Sequence, residues 1–459
     1  MFDFDLIVVG AGPGGYEAAL HAAKLGLKTA VVERREVGGT CLNRGCIPTK
    51  ALLHASTVYE EAKSGPALGV TADGLSYDLS AMFAYKQQVV EKLRSGIESL
   101  FKAAKVTLLR GTGTLTAPNT ISVSGENEGV YTAQNILLAT GSVPARPPIP
   151  GLDLDGVMTS DELLAGEGGD FGSLVIIGGG VIGMEFATFY NDLGVEVTVV
   201  EGLDRLLPNM DRELGQNLAM IVKKRGVQVF TGAMVKNLEA VEGGLQVNFE
   251  TRGQLQSVVG EKVLCAIGRS PYTAGLFGEG VSVELDRRRI KVNEKFETSV
   301  PGVYAIGDVS SPVQLAHVAT AQGIYAVNEM AGRANEMDLS LVPGCVYVRP
   351  EIAAVGLTEA DAKAQNIPVK TAKALMSSNG RTVILNGDRG FMKLVAHAET
   401  HKLLGAQLMC ANASDMISQL SEAIAGGLTP ADLLRAMRPH PTFEEALTAA
   451  LEELMVKLG

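Results

Sequence analysis

The chain has 459 residues, 46% of them hydrophobic and 20% charged, with a formal net charge of −11 at pH 7. That length suits about three domains, each able to bury a core, and the composition is that of an ordinary globular protein. The acidic balance excludes nucleic acid and anionic membrane as main partners, and no uninterrupted apolar stretch is long enough to span a bilayer.

The N-terminal Met1–Asp5 is acidic and runs straight into an apolar strand, without the basic and apolar regions of a signal peptide. Five cysteines in so long a chain are too few for a secreted disulfide framework. A cytoplasmic, reducing location is therefore expected, where a surviving disulfide would be catalytic. Cys265, Cys345 and Cys410 stand alone and read as reduced thiols. No metal site is expected.

The first element is a strand, Asp5–Val9, which leads into Gly10-Ala11-Gly12-Pro13-Gly14-Gly15. A helix follows through Tyr16–Leu25, and then a second strand, Thr29–Val32, ending at Glu33. This is the order of a dinucleotide-binding unit. The glycines permit a tight turn, close approach to a pyrophosphate and helix-on-strand packing, while the acid is placed to bond a ribose hydroxyl.

Next comes Gly38-Gly39-Thr40-Cys41-Leu42-Asn43-Arg44-Gly45-Cys46-Ile47-Pro48-Thr49-Lys50. A disulfide between Cys41 and Cys46 would close a small ring, easily strained and easily reduced, and a poor structural staple. Its better use is as an electron store beside a cofactor. The spacing alone leaves open two reduced, packed thiols.

Further along, the strand Ile136–Leu138 delivers Ala139-Thr140-Gly141, and the Pro-rich run Pro144–Pro150 reads as a domain boundary. From Leu174 the opening unit repeats. Gly178, Gly180, Gly183, Gly194 and Glu201 answer Gly10, Gly12, Gly15, Gly26 and Glu33 at a constant offset. One such fingerprint is weak, but two in strand-turn-helix context are strong. Two dinucleotide sites suggest two cofactors exchanging electrons, and a dithiol exchanges naturally with a flavin, which in turn exchanges with a nicotinamide. Both acids would repel a 2′-phosphate. A strand over Val263–Ile267 ends at Gly268-Arg269, and Val303–Ile306 delivers Gly307-Asp308 ahead of a helix over Ala316–Met330. From about Pro343 short strands alternate with helices, suggesting a separate α+β domain. Near the end, Glu445 follows His440 by five residues, with Pro441 forcing a turn between them and a helix over Glu444–Leu458 following. A carboxylate so placed can orient one imidazole nitrogen while the other meets substrate.

These motifs, taken together, resemble the pyridine nucleotide-disulfide oxidoreductases over essentially the whole length. The resemblance implies an α/β, glutathione-reductase-like fold with two Rossmann-like dinucleotide-binding domains and a C-terminal α+β dimerisation domain. The implied bounds are 1–146 (FAD), 147–270 (NAD), 271–341 (FAD/central) and 342–459 (interface). It implies FAD and NAD as cofactors and oxidation of protein-bound dihydrolipoamide to lipoamide. Cys46 resembles the flavin-proximal thiol, which makes a charge-transfer contact with the isoalloxazine, and Cys41 the interchange thiol that meets substrate. Lys50 resembles the lysine beside the flavin, Glu185 its acidic partner near the nicotinamide, and Asp308 the ribityl contact. The resemblance also implies cofactor contacts from Gly14, Arg34, Gly39, Thr40, Gly113, Val181, Ile182, Val235, Gln314, Leu315, Ala316 and His317. In relatives the catalytic His belongs to the other subunit, so His440 and Glu445 would complete the site only in a homodimer. The implied partner is a lipoyl-carrying protein, either an acyltransferase or a glycine-cleavage carrier. NADPH-dependent glutathione reductases place arginines near the end of the strand that here closes at Glu201, with Leu207 six residues later, so NAD is the expected acceptor. A non-catalytic scaffold would need none of Cys41, Cys46, His440 and Glu445. Arg44 and Arg438 depart from the commonest pattern of the family.

Overall fold

The structure is a computed structural model and describes residues 1–387 and 389–459. The chain opens with β1 (Phe4–Val9), α1 (Pro13–Lys24) and β2 (Thr29–Glu33), the last buried at every position. Strands apolar on both faces must be covered on both faces, which is why this unit forms a parallel sheet under helices. The helix α1 begins at Pro13, earlier than the periodicity predicts, because Pro suits the first helical position and Gly14 and Gly15 are held there by close packing. Then α2 (Gly39–Arg44), α3 (Cys46–Ser64) and α4 (Leu79–Ala104) precede β3 (Thr107–Arg110). The antiparallel ribbon β4 (Thr112–Ala117), β5 (Thr120–Ser124) and β6 (Gly129–Leu138) follows.

The strand β6 has two duties. Its first half closes the ribbon with β5, and its second half pairs in parallel with β1 and with Val303–Ala305. The parallel order is therefore β3-β2-β1-β6 with Val303–Ala305 at the far edge.

The second unit repeats this plan. Its parallel sheet runs Gln228–Thr231, Glu196–Glu201, Ser173–Ile177, Lys262–Cys265, Val157–Met158. A three-stranded antiparallel ribbon, Ala233–Val241, Gly244–Thr251 and Gln254–Gly260, again connects the third and fourth strands. Only the edge strand differs in origin: it follows the inserted unit in the first sheet and precedes the opening strand in the second. The two chain crossings between the units pair with each other, Ser142–Pro144 against Arg269–Pro271.

From Gly344 a five-stranded antiparallel sheet forms, in the order Gly344–Val346, Ile352–Gly356, Leu403–Met409, Phe391–His397, Val369–Leu375. The helices Ala413–Ala425 and Glu445–Leu458 cover it. One apolar core crosses all the units, joining Leu52 and Leu53 of α3 to Met184, Phe186 and Phe189 and to Val346, Val348 and Ile352. A buried ion pair, Lys393 to Asp211 at 3.1 Å with both side chains 7% exposed, also bridges the second unit and the C-terminal sheet. Removing one partner from such a pair costs about 3–5 kcal/mol. No helix among the described residues is long and apolar enough to cross a membrane.

Candidate active site

The twin glycine turns make the same close approaches. A Cβ on Gly15 would lie 1.9 Å from the Gly10 carbonyl oxygen, and one on Gly183 would lie 2.0 Å from that of Gly178. Only glycine lets the helix start so close to the strand it follows. Gly12 and Gly180 tell the complementary story: the nearest atom to a Cβ on Gly12 is 4.0 Å away, and Gly180 meets nothing within 4 Å. Protein packing does not demand glycine there, and the bare backbone leaves room for a ligand at each helix N-terminus. Val181 and Ile182 open the second helix, Val181–Asp192.

Both acids do more than the sequence suggests. Glu33 accepts the amide N–H of Ala11 at 2.7 Å and that of Arg35 at 2.8 Å. Glu201 accepts those of Gly179 at 2.5 Å and Leu203 at 2.7 Å. Each carboxylate therefore ties its strand end to the glycine turn, and each oxygen keeps a lone pair for a ribose hydroxyl. We expect Gly183→Ala to yield a protein that still holds flavin but has lost nicotinamide turnover. Its flavin absorbance and NAD+-dependent activity, measured side by side, check this.

Cys41 lies in α2 and Cys46 opens α3, with Gly45 between the helices in a backbone conformation belonging to neither. Asn43 holds this turn, donating to the carbonyls of Val37 and Gly39, both at 2.9 Å, and accepting from Arg94 Nε at 3.1 Å. The neighbouring Arg44, a departure from the family pattern, forms an ion pair with Glu36. Gly39 and Thr40 form the first turn of α2, where a Cβ on Gly39 would lie 2.6 Å from the Cα of Gly12. The start of α2, which carries Cys41, and the first glycine turn are thus closely packed.

Both cysteines are thiols here. A hydrogen bond from Cys41 holds the Cys46 thiol below the ordinary thiol range, against the opposing effect of burial, and the Lys50 ammonium helps. The same bond and burial push Cys41 up. Cys46 is the more acidic thiol of the pair. Lys50 Nζ is fixed by Glu185, at 2.8 and 2.7 Å from its two oxygens, and sits 4.6 Å from the Tyr347 ring centroid. Glu185 also accepts the Tyr347 amide N–H at 3.1 Å. A depressed thiol loses its reactive form only as pH falls through the lowered value. The reduced protein should therefore react with iodoacetamide with a midpoint below that of a free thiol; a midpoint at or above the free value would overturn the ordering of the pair.

A second polar chain lies at the crossing between units. Ser142 donates to Asp308 Oδ2 at 2.5 Å and accepts from Arg269 Nε at 2.8 Å, while its carbonyl accepts Arg269 Nη2 at 2.8 Å. Burial raises the Asp308 pKa. Ser142 was not among the residues expected from sequence; a serine following Ala139-Thr140-Gly141 carries no signal until the crossing strands are paired. Ala139 donates its amide to the Val9 carbonyl at 2.8 Å, and Thr140 Oγ1 donates to the Tyr272 carbonyl at 2.7 Å. Gly141 and Gly268 both take positive φ beside that crossing. Arg34 stacks on the Tyr272 ring, 4.0 Å from its centroid.

Gly307 donates to Gln322 Oε1 at 2.8 Å. The helix Ala316–Met330 matches its predicted span, with Leu315 as its extended N-cap. It packs on α1 so closely that a Cβ on Gly14 would lie 2.8 Å from the Ala319 carbonyl oxygen. Just before it, Gln314 Nε2 is buried with no partner among the described residues. A buried amide aimed at nothing in the protein fits a bound flavin, as does the open Cβ position of Gly12, and that of Gly180 fits a second dinucleotide. His317 Nε2 instead bonds the Pro343 carbonyl at 2.8 Å. Gly113 and Val235 are buried in ribbon strands, Gly113 against Val9 and Val32, and Val235 in the core of the second unit.

His440 and Glu445 form a pair apart from the thiols. His440 Nδ1 bonds Glu445 Oε1 at 2.8 Å, and the Thr442 amide donates to Oε2 at 2.9 Å. These bonds hold the Glu445 carboxyl below the usual carboxylate range. The imidazole is 79% exposed, so Nε2 faces outward from the C-terminal domain. Arg438 Nη1 donates to Thr448 at 3.2 Å, and burial lowers its pKa.

A dithiol held between two dinucleotide turns defines a disulfide oxidoreductase that couples thiols to a nicotinamide through a flavin. Residues 4–323 match the family described as pyridine nucleotide-disulphide oxidoreductase and residues 342–451 match its dimerisation domain, and the chain belongs to that family. It is 42% identical to a dihydrolipoyl dehydrogenase of Thermus scotoductus, covering 99% of this chain and 98% of that relative. It is 39% identical to one of Bacillus subtilis, covering 98% and 97%. Among solved structures it resembles LpdA from Mycobacterium tuberculosis, with a TM-score of 0.89 and 28% identity over 98% of this chain and 99% of that one. It also resembles the HOCl-induced flavoprotein disulfide reductase RclA from Escherichia coli, with a TM-score of 0.86 and 26% identity over 98% and 99%.

Proposed function

We propose that this enzyme oxidises protein-bound dihydrolipoamide to lipoamide with NAD+ as acceptor, as the flavoprotein component of a 2-oxoacid dehydrogenase or glycine-cleavage complex. The observation that carries this is the Cys41–Cys46 pair beside Lys50–Glu185, in a chain similar throughout its length to dihydrolipoyl dehydrogenases. The cofactors are FAD and NAD. Residues 1–146 and 271–341 would hold FAD and residues 147–270 NAD, with the paired crossings Ser142–Pro144 and Arg269–Pro271 near both boundaries. Residues 342–459 would form the dimer interface; the dimerisation domain supports a homodimer. Glu33, Asp308, Gln314 and the N-terminus of the helix at Ala316 are the chain's contacts to FAD, and Glu201 and Glu185 those to NAD.

Turnover starts with Cys41 and Cys46 joined as a disulfide. His440 of the partner subunit takes the proton from one substrate thiol, because only the thiolate is nucleophilic. That thiolate attacks Cys41, a sulfur–sulfur bond forms, and Cys46 leaves as a thiolate stabilised by Lys50. The second substrate sulfur then displaces Cys41, closing the lipoyl ring and leaving the enzyme as a dithiol. The Cys41–Cys46 dithiol then gives up its electron pair and re-forms the disulfide; FAD, held by Glu33, Asp308 and Gln314, would supply the two-electron relay to NAD+ held at Glu201. Glu445 keeps His440 in the tautomer that presents a free Nε2. Steady-state turnover with dihydrolipoamide and NAD+, run beside glutathione disulfide with NADPH and with NADH, tests the assignment. Fast NAD-specific oxidation of dihydrolipoamide is expected, and reduction confined to glutathione disulfide would replace the substrate while keeping the family.

A further inference from the structure

The helix Val181–Asp192 begins at the second glycine turn and carries Glu185 two helical turns ahead of Asp192, so the two acids share one face. Glu185 is the upper junction, joining Lys50 of α3 to the Tyr347 amide of the C-terminal domain. Asp192 repeats that arrangement below it. Its side chain is wholly buried, and it accepts Ser56 of α3 at 2.8 Å on Oδ2, which also pairs with Arg349 of the C-terminal domain. Its Oδ1 accepts Arg225 Nη2 at 3.0 Å, and the same Arg225 nitrogen reaches Glu60 of α3 at 3.3 Å. The same three elements are therefore fastened twice along one helix face, by Lys50–Glu185–Tyr347 and by Ser56–Asp192–Arg349.

A single buried carboxylate between two arginines is a costly way to hold three elements together; apolar packing of equal volume often serves stability as well or better. What apolar packing does not provide is axial register. Two junctions on one face forbid both slip and rotation of the helix against α3, whereas the apolar contacts of Leu52 and Leu53 with Met184 and Phe186 tolerate small slides. The element so fixed matters, because α3 starts at Cys46. We propose that Asp192 is a positioning residue for the dithiol: by locking the helix of Glu185 to α3, it sets where the Lys50 ammonium stands relative to Cys46. This goes beyond the proposed reaction and rests on the redox role of the Cys41–Cys46 pair, not on which disulfide or dithiol is the substrate.

A dithiol whose thiolate faces a well-placed ammonium is easier to keep reduced. Loosening the register should therefore favour the disulfide. The holoenzyme and its Asp192→Asn and Ser56→Ala variants are equilibrated with oxidised and reduced dithiothreitol, quenched in acid, and the Cys41 and Cys46 thiols counted by mass spectrometry. Asp192→Asn is expected to shift the equilibrium about threefold to tenfold toward disulfide. Ser56→Ala removes one bond, leaves every charge in place, and should shift it less in the same direction. Lys393→Met serves as the control, since it breaks a different buried bridge between the same domains. It should lower the melting temperature and leave the thiol equilibrium unchanged. The proposal is overturned if Ser56→Ala leaves the equilibrium at the wild-type value, or if Lys393→Met shifts it as far as Asp192→Asn does. Failure of dihydrolipoamide turnover in the parent enzyme would instead count against the assigned substrate and leave this equilibrium readable.

Discussion

Cys46→Ser is expected to abolish dihydrolipoamide oxidation, by about 10⁴-fold or more, while NADH-driven reduction of an artificial electron acceptor persists. The two activities separate because the thiol pair lies on one side of the electron path and the second glycine turn on the other. No remaining thiol can take over. Burial raises the thiols of Cys265, Cys345 and Cys410, that of Cys345 to about 11 and that of Cys410 to about 12. Among the described residues none of the three is bonded to Cys41, and the Cys265 thiol donates to the Ala145 carbonyl at 3.8 Å. Measuring both turnovers on one preparation checks the separation. Retention of dihydrolipoamide turnover in this variant would remove the dithiol from the mechanism, and loss of both activities would point to a misfolded flavin site.

His440→Gln should cost about 10²- to 10⁴-fold in dihydrolipoamide turnover, the usual weight of a general base, and leave reduction of the flavin by NADH intact. The stronger test lies in mixing subunits. His440 is exposed on the C-terminal domain and, among the described residues, its only ring bond runs to Glu445, five residues away. A base that faces out of its own chain can serve the thiols of another. A heterodimer of one Cys46→Ser subunit and one His440→Gln subunit would then contain one intact site, built from the Cys46 of one chain and the His440 of the other. It should recover close to half the wild-type activity, although each parent homodimer is inactive. A heterodimer as inactive as its parents would place base and thiols in one chain.

The candidate catalytic residues and both glycine turns are legible in the sequence because each depends on a short, local pattern. Glycines at fixed spacing after an apolar strand, an acid at the end of the next strand, two cysteines five positions apart, and His440 with Glu445 across Pro441 all announce themselves within a few residues. The helix Ala316–Met330 was readable to the residue, and the C-terminal helix to within one position, starting at Glu445 rather than Glu444. Strand ends were less legible. β6 reaches back to Gly129 because its first half pairs with β5, a partner that no periodicity within Ile136–Leu138 could reveal.

Residue chemistry and spacing therefore determined the class of protein, the candidate thiols and base, and the two glycine turns. Tertiary structure decided the interactions that join residues far apart in the chain. Ser142 meets Asp308 only because the two crossings pair, and the carboxylates of Glu33 and Glu201 turn back to bind the glycine turns that precede them. Asp192, unremarked at the end of a helix, becomes the second fastening of three domains only when α3 and Arg349 are brought against it. The physical reason is the same throughout. A turn or a motif is set by torsions and contacts between neighbours, but a buried charge takes its meaning from whichever distant groups replace the water it has lost.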